Sequence, residues 1–141
     1  MINFFSENAF RLTHAEKYRN WLEGVAKSED FVTGELNYIF CDDAYLLTIN
    51  KNYLNHDTYT DIISFDYVEG SLLNGDIFIS TERIKENAQD FGVTFDEELR
   101  RVMAHGILHL MGYKDKSAPD KEIMRNKEDE KIKLFHVEQS E

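Results

Sequence analysis

Residues 104–115 read Ala-His-Gly-Ile-Leu-His-Leu-Met-Gly-Tyr-Lys-Asp. They close a longer segment with the marks of a helix. Thr94 followed by Glu97 is a capping box, and no proline interrupts Phe95 to Met111. At about 100° per residue, Leu99, Met103, Ala104, Ile107, Leu110 and Met111 share one face, and His105 and His109 fall almost opposite its centre. Histidines four apart stack one turn above another, so both imidazoles project from the same side. Gly112 supplies a stop, because glycine accepts the left-handed conformation that ends helices. Tyr113, Lys114 and Asp115 follow on a turn. A chain that folds back there brings Asp115 beside the two imidazoles. Two imidazoles, one carboxylate and an open position form a catalytic zinc pattern. The competing interpretation is a surface histidine pair with an unrelated loop aspartate.

A chain of 141 residues predicts one domain over 1–141, and 42% hydrophobic with 13% aromatic content suffices for a core. Net charge is −11 and the pI near 4.9, which argues against broad, sequence-independent binding of a polyanion. The imbalance is uneven. Residues 1–113 carry nine Lys and Arg against nineteen Asp and Glu, whereas residues 114–133 carry seven against six. The segment after the histidine motif is therefore the least repulsive place for a phosphate. Cys41 is the only cysteine, which excludes an internal disulfide, fits a reducing cytoplasm and reads as a small buried hydrophobe. No apolar run approaches the ~18 residues of a membrane span, and the first residues lack a signal peptide's basic start and apolar stretch. A cytoplasmic monomer is expected.

Elsewhere the pattern predicts a strand at Ile2–Ser6. Thr13 and Glu16 form a second capping box, opening a helix over Ala15–Ser28 with Tyr18, Trp21, Leu22, Val25 and Ala26 inward. A turn at Phe31–Gly34 leads to a strand at Glu35–Cys41, and Asp42 caps a helix over Asp43–Tyr53. Ile62–Phe65 reads as a strand and Asp66–Leu73 as a loop with Gly70 at its turn. Asn74-Gly75 is turn chemistry entering a strand that ends at Ser80. Ser80 caps a helix over Thr81–Phe91, which Gly92 ends. The last helix starts at Ser117 or Ala118, beside Pro119, and runs to about Phe135. Its spaced charges, Glu128 with Lys131 and Asp129 with Lys133, read as a solvated face. Two strands joined by a loop within Asp61–Ser80 imply an antiparallel pair, so the fold class is α+β and not a doubly wound parallel sheet.

The stretch His105-Gly-x-Leu108-His109-Leu110-x-Gly112-Tyr113 resembles the signature of the YbeY family, bacterial metal-dependent endoribonucleases of ribosomal RNA maturation. A second block agrees: Asn50, Tyr53, Asp57, Thr60, Asp61, Ser64 and Phe65 match the family's pattern, and Asp76 matches the aspartate of its Leu-Gly-Asp-Ile strand. The resemblance implies a small mixed sheet of about four strands packed with about five helices, with the metal site at the C-terminal end of a central helix. It implies one zinc ion and cleavage of single-stranded RNA in maturing the 3′ end of small-subunit ribosomal RNA, with ribosomal RNA precursors and the ribosome as partners. Two departures matter. The family's third metal ligand is a histidine where this chain has Asp115, which leaves a bound ion one unit less positive. The family's functional arginine follows Tyr53, where this chain has Leu54; His56 and Lys51 are the nearby substitutes.

The expected ligands are His105, His109 and Asp115. Zinc peptidases place a glutamate base directly after the first histidine; here that residue is Gly106, which counts against peptidase chemistry. Glu98 lies on the histidine side but about 10 Å below His105 along the helix, too far for the same water. Asp61 and Asp76 are both candidates for the base, Asp76 alternatively being an acceptor for an imidazole N–H or a turn carboxylate. Lys114, Lys116, His56 and Arg125 are expected to guide RNA. A metal-stabilised ribosome-assembly factor with little nuclease activity is the alternative, favoured by Leu54 and the acidic balance.

Overall fold

The computed structural model describes residues 1–54 and 60–139. In chain order its elements are β1 (Ile2–Ser6), α1 (Ala15–Ser28), β2 (Val32–Cys41), α2 (Asp43–Leu54), β3 (Ile62–Asp66), β4 (Leu72–Ser80), α3 (Thr81–Phe91), α4 (Phe95–Leu110) and α5 (Ala118–Gln139). The strands form one sheet in the order β1-β2-β4-β3. β1, β2 and β4 run parallel, and β3 returns antiparallel against β4, with Ile63 opposite Phe78 and Phe65 opposite Asp76. This is the expected α+β class, with a mixed four-stranded sheet and five helices.

Alternation along β4 assigns its two faces. Leu73, Ile77 and Ile79 are buried in the main core with Tyr38 and Phe40 of β2, the α1 stripe and the apolar side of α4. Phe78 and Phe65 point the other way, into a smaller cluster with Cys41, Ile63 and the α2 residues Leu46 and Ile49. Cys41 is fully buried, and burial with nearby carboxylates pushes its thiol up to about 12, as expected of a packed hydrophobe.

α4 lies close on the sheet because two glycines allow it. A Cβ on Gly75 would meet the Phe65 carbonyl oxygen at 2.7 Å and Leu110 Cδ1 at 3.1 Å. A Cβ on Gly106 would meet Ile62 Cδ1 at 3.0 Å and Ile77 Cγ2 at 3.1 Å. Tyr38 ties the layers by donating its hydroxyl to the Met103 carbonyl at 2.9 Å.

Several expectations need correction. Asn74-Gly75 is no turn: β4 already begins at Leu72, and Asn74 Oδ1 accepts from the Glu35 N–H at 2.8 Å. That bond sits where the β2–β4 register shifts between Thr33 and Leu36, and β2 itself starts at Val32 rather than Glu35. α1 is preceded by His14 in the left-handed region (φ 59°), without a side-chain cap, so the Thr13–Glu16 box does not form.

The largest correction concerns α5. Its buried stripe is Met124, Glu128, Lys131 and Phe135, at helical spacing, so Glu128 and Lys131 are not on a solvated face. Lys131 is only 1% exposed, and its ammonium donates to Ser28 Oγ at 2.8 Å and Glu29 Oε2 at 2.7 Å. Trp21 donates its indole N–H to the Lys131 carbonyl at 2.7 Å. α5 is thus a packed helix between α1 and α4, and it runs past Phe135 to Gln139.

Candidate functional site

The site is built on α4. Thr94 and Glu97 close the capping box reciprocally: Thr94 Oγ1 accepts from the Glu97 N–H at 3.1 Å, and Glu97 Oε1 accepts from the Thr94 N–H at 3.2 Å. At the other end Gly112 takes φ 102°, and the Tyr113 N–H reaches back to the Leu108 carbonyl at 3.1 Å. The chain therefore reverses at the glycine. The reversal sets Asp115 Oδ2 3.2 Å from His105 Nε2. The His105 and His109 rings lie nearly parallel, 9° apart in plane with centroids 6.1 Å apart.

The second nitrogen of His105 is also engaged. Nδ1 is 2.7 Å from Glu128 Oε2 of α5. Arg101, one turn before His105, donates to Glu128 Oε1 at 3.0 Å and to Asp129 Oδ1 at 2.7 Å. A guanidinium thus holds the carboxylate that holds the imidazole. With Glu128 as acceptor, Nδ1 carries a proton, and the Nε2 edge of the ring faces Asp115. Burial works against a charged His105, but Glu128, Asp115 and Asp61 outweigh it and raise its pKa.

A cavity of about 380 Å³ opens over these groups, and its wall includes His105, His109, Asp115 and Glu128. Asp61, at the start of β3, and Glu98, two turns below His105, complete an acidic floor. Burial raises the pKa of Asp61, with His105 pulling it back. Glu98 is 5% exposed; burial raises its pKa and the Asp61 charge adds to the effect. The cavity extends down α4 and takes in Glu98, two turns from His105.

The sequence-predicted residues separate clearly. His105, His109, Asp115 and Asp61 share the cavity. Asp76 does not. It lies between Gly75 and Ile77, which face α4, so its own side chain is on the opposite face of the sheet. There its Oδ1 accepts from Asn37 Nδ2 at 3.0 Å, and Asn37 accepts in turn from Asn3. Lys114 and Lys116 are exposed on the bend outside the cavity wall, whereas Arg125 is part of it. His56 and Asp57 lie outside the described residues, and Leu54 ends α2. Gly106 borders the cavity by its backbone, but a side chain there would point at Ile62 and Ile77. No peptidase base could act from that position.

Glu128, Arg101 and Glu98 were missed as site residues. Spacing held a signal for two of them: Glu98, Arg101, His105 and His109 recur at three, four and four along one helical face. Nothing local pointed to Glu128, which arrives from another helix.

Nitrogen and oxygen donors of this type suit zinc and its transition-metal neighbours. Among the described residues no three His, Cys, Asp or Glu side chains converge tightly enough to enclose an ion as they stand. His105 Nε2 and Asp115 Oδ2 are 3.2 Å apart, and His109 stands one turn on.

A family model described as Endoribonuclease YbeY matches residues 3–136. Curated relatives carry the same name. One from Flavobacterium johnsoniae is 61% identical over 139 residues, covering 99% of this chain and 100% of its own length. One from Christiangramia forsetii is 60% identical over 138 residues, covering 98% and 96%. The solution structure of a Thermotoga maritima protein is similar with a TM-score of 0.70 at 26% identity, covering 99% of this chain and 92% of that one.

Proposed function

The chain belongs to the YbeY endoribonuclease family, and we propose that it hydrolyses single-stranded segments of ribosomal RNA precursors, among them the 3′ end of the small-subunit RNA, with one zinc ion held by His105, His109 and Asp115. The observation that carries the metal reading is the pair of contacts on His105. One ring nitrogen faces a carboxylate at 3.2 Å, and the other is anchored by a buried carboxylate at 2.7 Å. Imidazoles that bind metals characteristically have their remaining nitrogen held in this way. The chemistry a zinc ion supplies when bound is acidification of water toward neutral pH and polarisation of a phosphoryl oxygen.

The chain's own residues do the rest. Glu128, braced by Arg101, fixes the His105 tautomer and ring direction. Asp61, just before β3, lines the cavity and serves as the acceptor for a proton taken from water. Its desolvation moves it toward the range a general base needs. Glu98, its side chain desolvated and without a hydrogen bond among the described residues, keeps the lower end of the cavity acidic. Asp115 in place of a third imidazole keeps the site less positive, which favours weaker activation and easier product release. Action on ribosomal RNA fits a cytoplasmic protein, whose single thiol stays reduced.

The test is cleavage of a single-stranded ribosomal RNA fragment by purified protein with its metal content measured in parallel. One equivalent of zinc and loss of cleavage in His109→Ala are expected. Cleavage unaffected by that substitution would overturn the mechanism. The net charge of −11 and Leu54 favour a second reading, a ribosome-binding assembly factor. It predicts wild-type binding to ribosomal particles with no metal-dependent cleavage.

A further inference from the structure

The acidic cavity does not end at Glu98. It adjoins a second hollow of about 390 Å³ between α4 and α5, and the two share Phe91, Glu98, Arg101 and Arg125 as walls. Phe91 stands at the last position of α3 and is 66% exposed, outside both hydrophobic clusters. Its backbone is nonetheless fixed: the Val93 N–H donates to the Ala88 carbonyl at 3.0 Å, wrapping the helix end. The ring therefore projects from a defined helix end, where a flat partner could cover it.

The charge around the ring is unusual for this chain. The wall of the second hollow contains Arg100, Arg101 and Arg125 against Glu97 and Glu98, while the molecule as a whole carries −11. Arg101 is committed to Glu128 and Asp129. Among the described residues Arg125 has neither a hydrogen bond nor an ion pair and is exposed, and Arg100 forms no ion pair; its guanidinium lies over the Phe135 ring at 4.8 Å. The Arg125 charge is felt by Glu98, but its guanidinium is exposed; an exposed guanidinium lining the same hollow as an exposed aromatic ring is a pairing that binds single-stranded nucleic acid. The cation holds a phosphate and the ring stacks a base, which a duplex keeps inside its own stack.

We infer that Phe91 and Arg125 form a subsite for one unpaired RNA nucleotide next to the cavity, the base stacking on Phe91 and its phosphate resting on Arg125. This rests on the ribonuclease reading and adds the direction of the strand: from His109 across Glu98 and Phe91 into the α4–α5 hollow. It also explains how an acidic protein engages a polyanion, through one exposed guanidinium and stacking that needs no net positive charge.

The experiment uses the full-length, metal-loaded protein with a short single-stranded RNA oligomer and a blunt RNA duplex of the same sequence. Phe91→Ala is expected to raise KM about tenfold with little change in kcat, the size of one lost base–aromatic stack. Arg125→Ala is expected to lower the slope of log affinity against log salt by about one. Phe91→Trp should keep the wild-type KM, and its new indole fluorescence should be quenched by the single strand and not by the duplex; Trp21, fully buried, contributes a constant background. Unchanged KM in Phe91→Ala, or an indole that responds equally to duplex, overturns the subsite while leaving the nuclease reading intact. The quenching measurement needs no cleavage. A wild-type protein that does not cut RNA while the Phe91→Trp indole is still quenched would refute the nuclease and support the subsite.

Discussion

Replacing Glu29 by Gln should cost stability in a way that depends on pH, and the size follows from its contacts. Glu29 closes the end of α1 with its side chain 16% exposed. It accepts from the Tyr113 hydroxyl at 2.6 Å, from Lys131 at 2.7 Å and from Lys127 at 3.2 Å. Burial alone would raise its pKa; the hydrogen bonds from Lys131, Tyr113 and Lys127 outweigh it and bring the group from 4.5 to about 2. That difference corresponds to about 3 kcal/mol at roughly 1.4 kcal/mol per pH unit, trimmed to about 2 kcal/mol because Lys127 reaches solvent and is screened. A folded-state value below the unfolded one means the stabilisation is complete above pH 4.5 and is lost as pH falls toward 2. Glu29→Gln removes the charge and keeps the shape. Urea titrations followed by far-UV circular dichroism should show the variant about 2 kcal/mol less stable at pH 7, a midpoint shift of about 1 M. The gap should close as pH approaches 2. A gap of the same size at pH 7 and pH 2.5 would refute the reasoning, since it would then come from packing and not from the carboxylate charge.

Two further outcomes are expected. Glu128→Gln should weaken zinc binding about 10- to 100-fold, measured by competition with a chromophoric chelator; affinity equal to wild type would mean that His105 needs no anchor. Gly106→Ala gains up to about 1 kcal/mol in helix propensity but pushes a methyl within 3.1 Å of Ile77 Cγ2, a branched side chain with little rotamer freedom on a central strand. Overpacking of this kind costs about 1–3 kcal/mol, so the urea midpoint should fall; a rise would place α4 farther from the sheet than described.

The helices whose ends are set by local chemistry were legible residue for residue. Ser80 and Gly92 bound α3, and Thr94 with Glu97 opens α4, because caps depend on neighbours within a turn. What failed depended on distant partners. Asn74-Gly75 has the composition of a turn, yet it is needed in a strand, where Asn74 serves the shifted register of β2 and Gly75 lets α4 and β3 approach. In α5 the spacing of Met124, Glu128, Lys131 and Phe135 was visible, but two charges on that stripe read as solvent-facing. Their burial depends on Arg101, His105 and Glu29, none of which lies on α5. Asp76 could have been assigned from its own strand: it alternates with Ile77 and Ile79, and alternation puts it on the far face. Within the cavity the sequence pattern picked out the histidines and Asp115, and the buried carboxylate behind them became evident only once α5 was packed.

Chain order gives that last contact a temporal meaning. His105 leaves the ribosome 23 residues before Glu128, so a growing polypeptide carries both imidazoles for a time without the group that aims one of them. The same helix that brings the carboxylate also accepts the Trp21 indole N–H at its Lys131 carbonyl. The newborn chain, surrounded by the RNA of the particle making it, therefore has no finished blade until its final helix folds back.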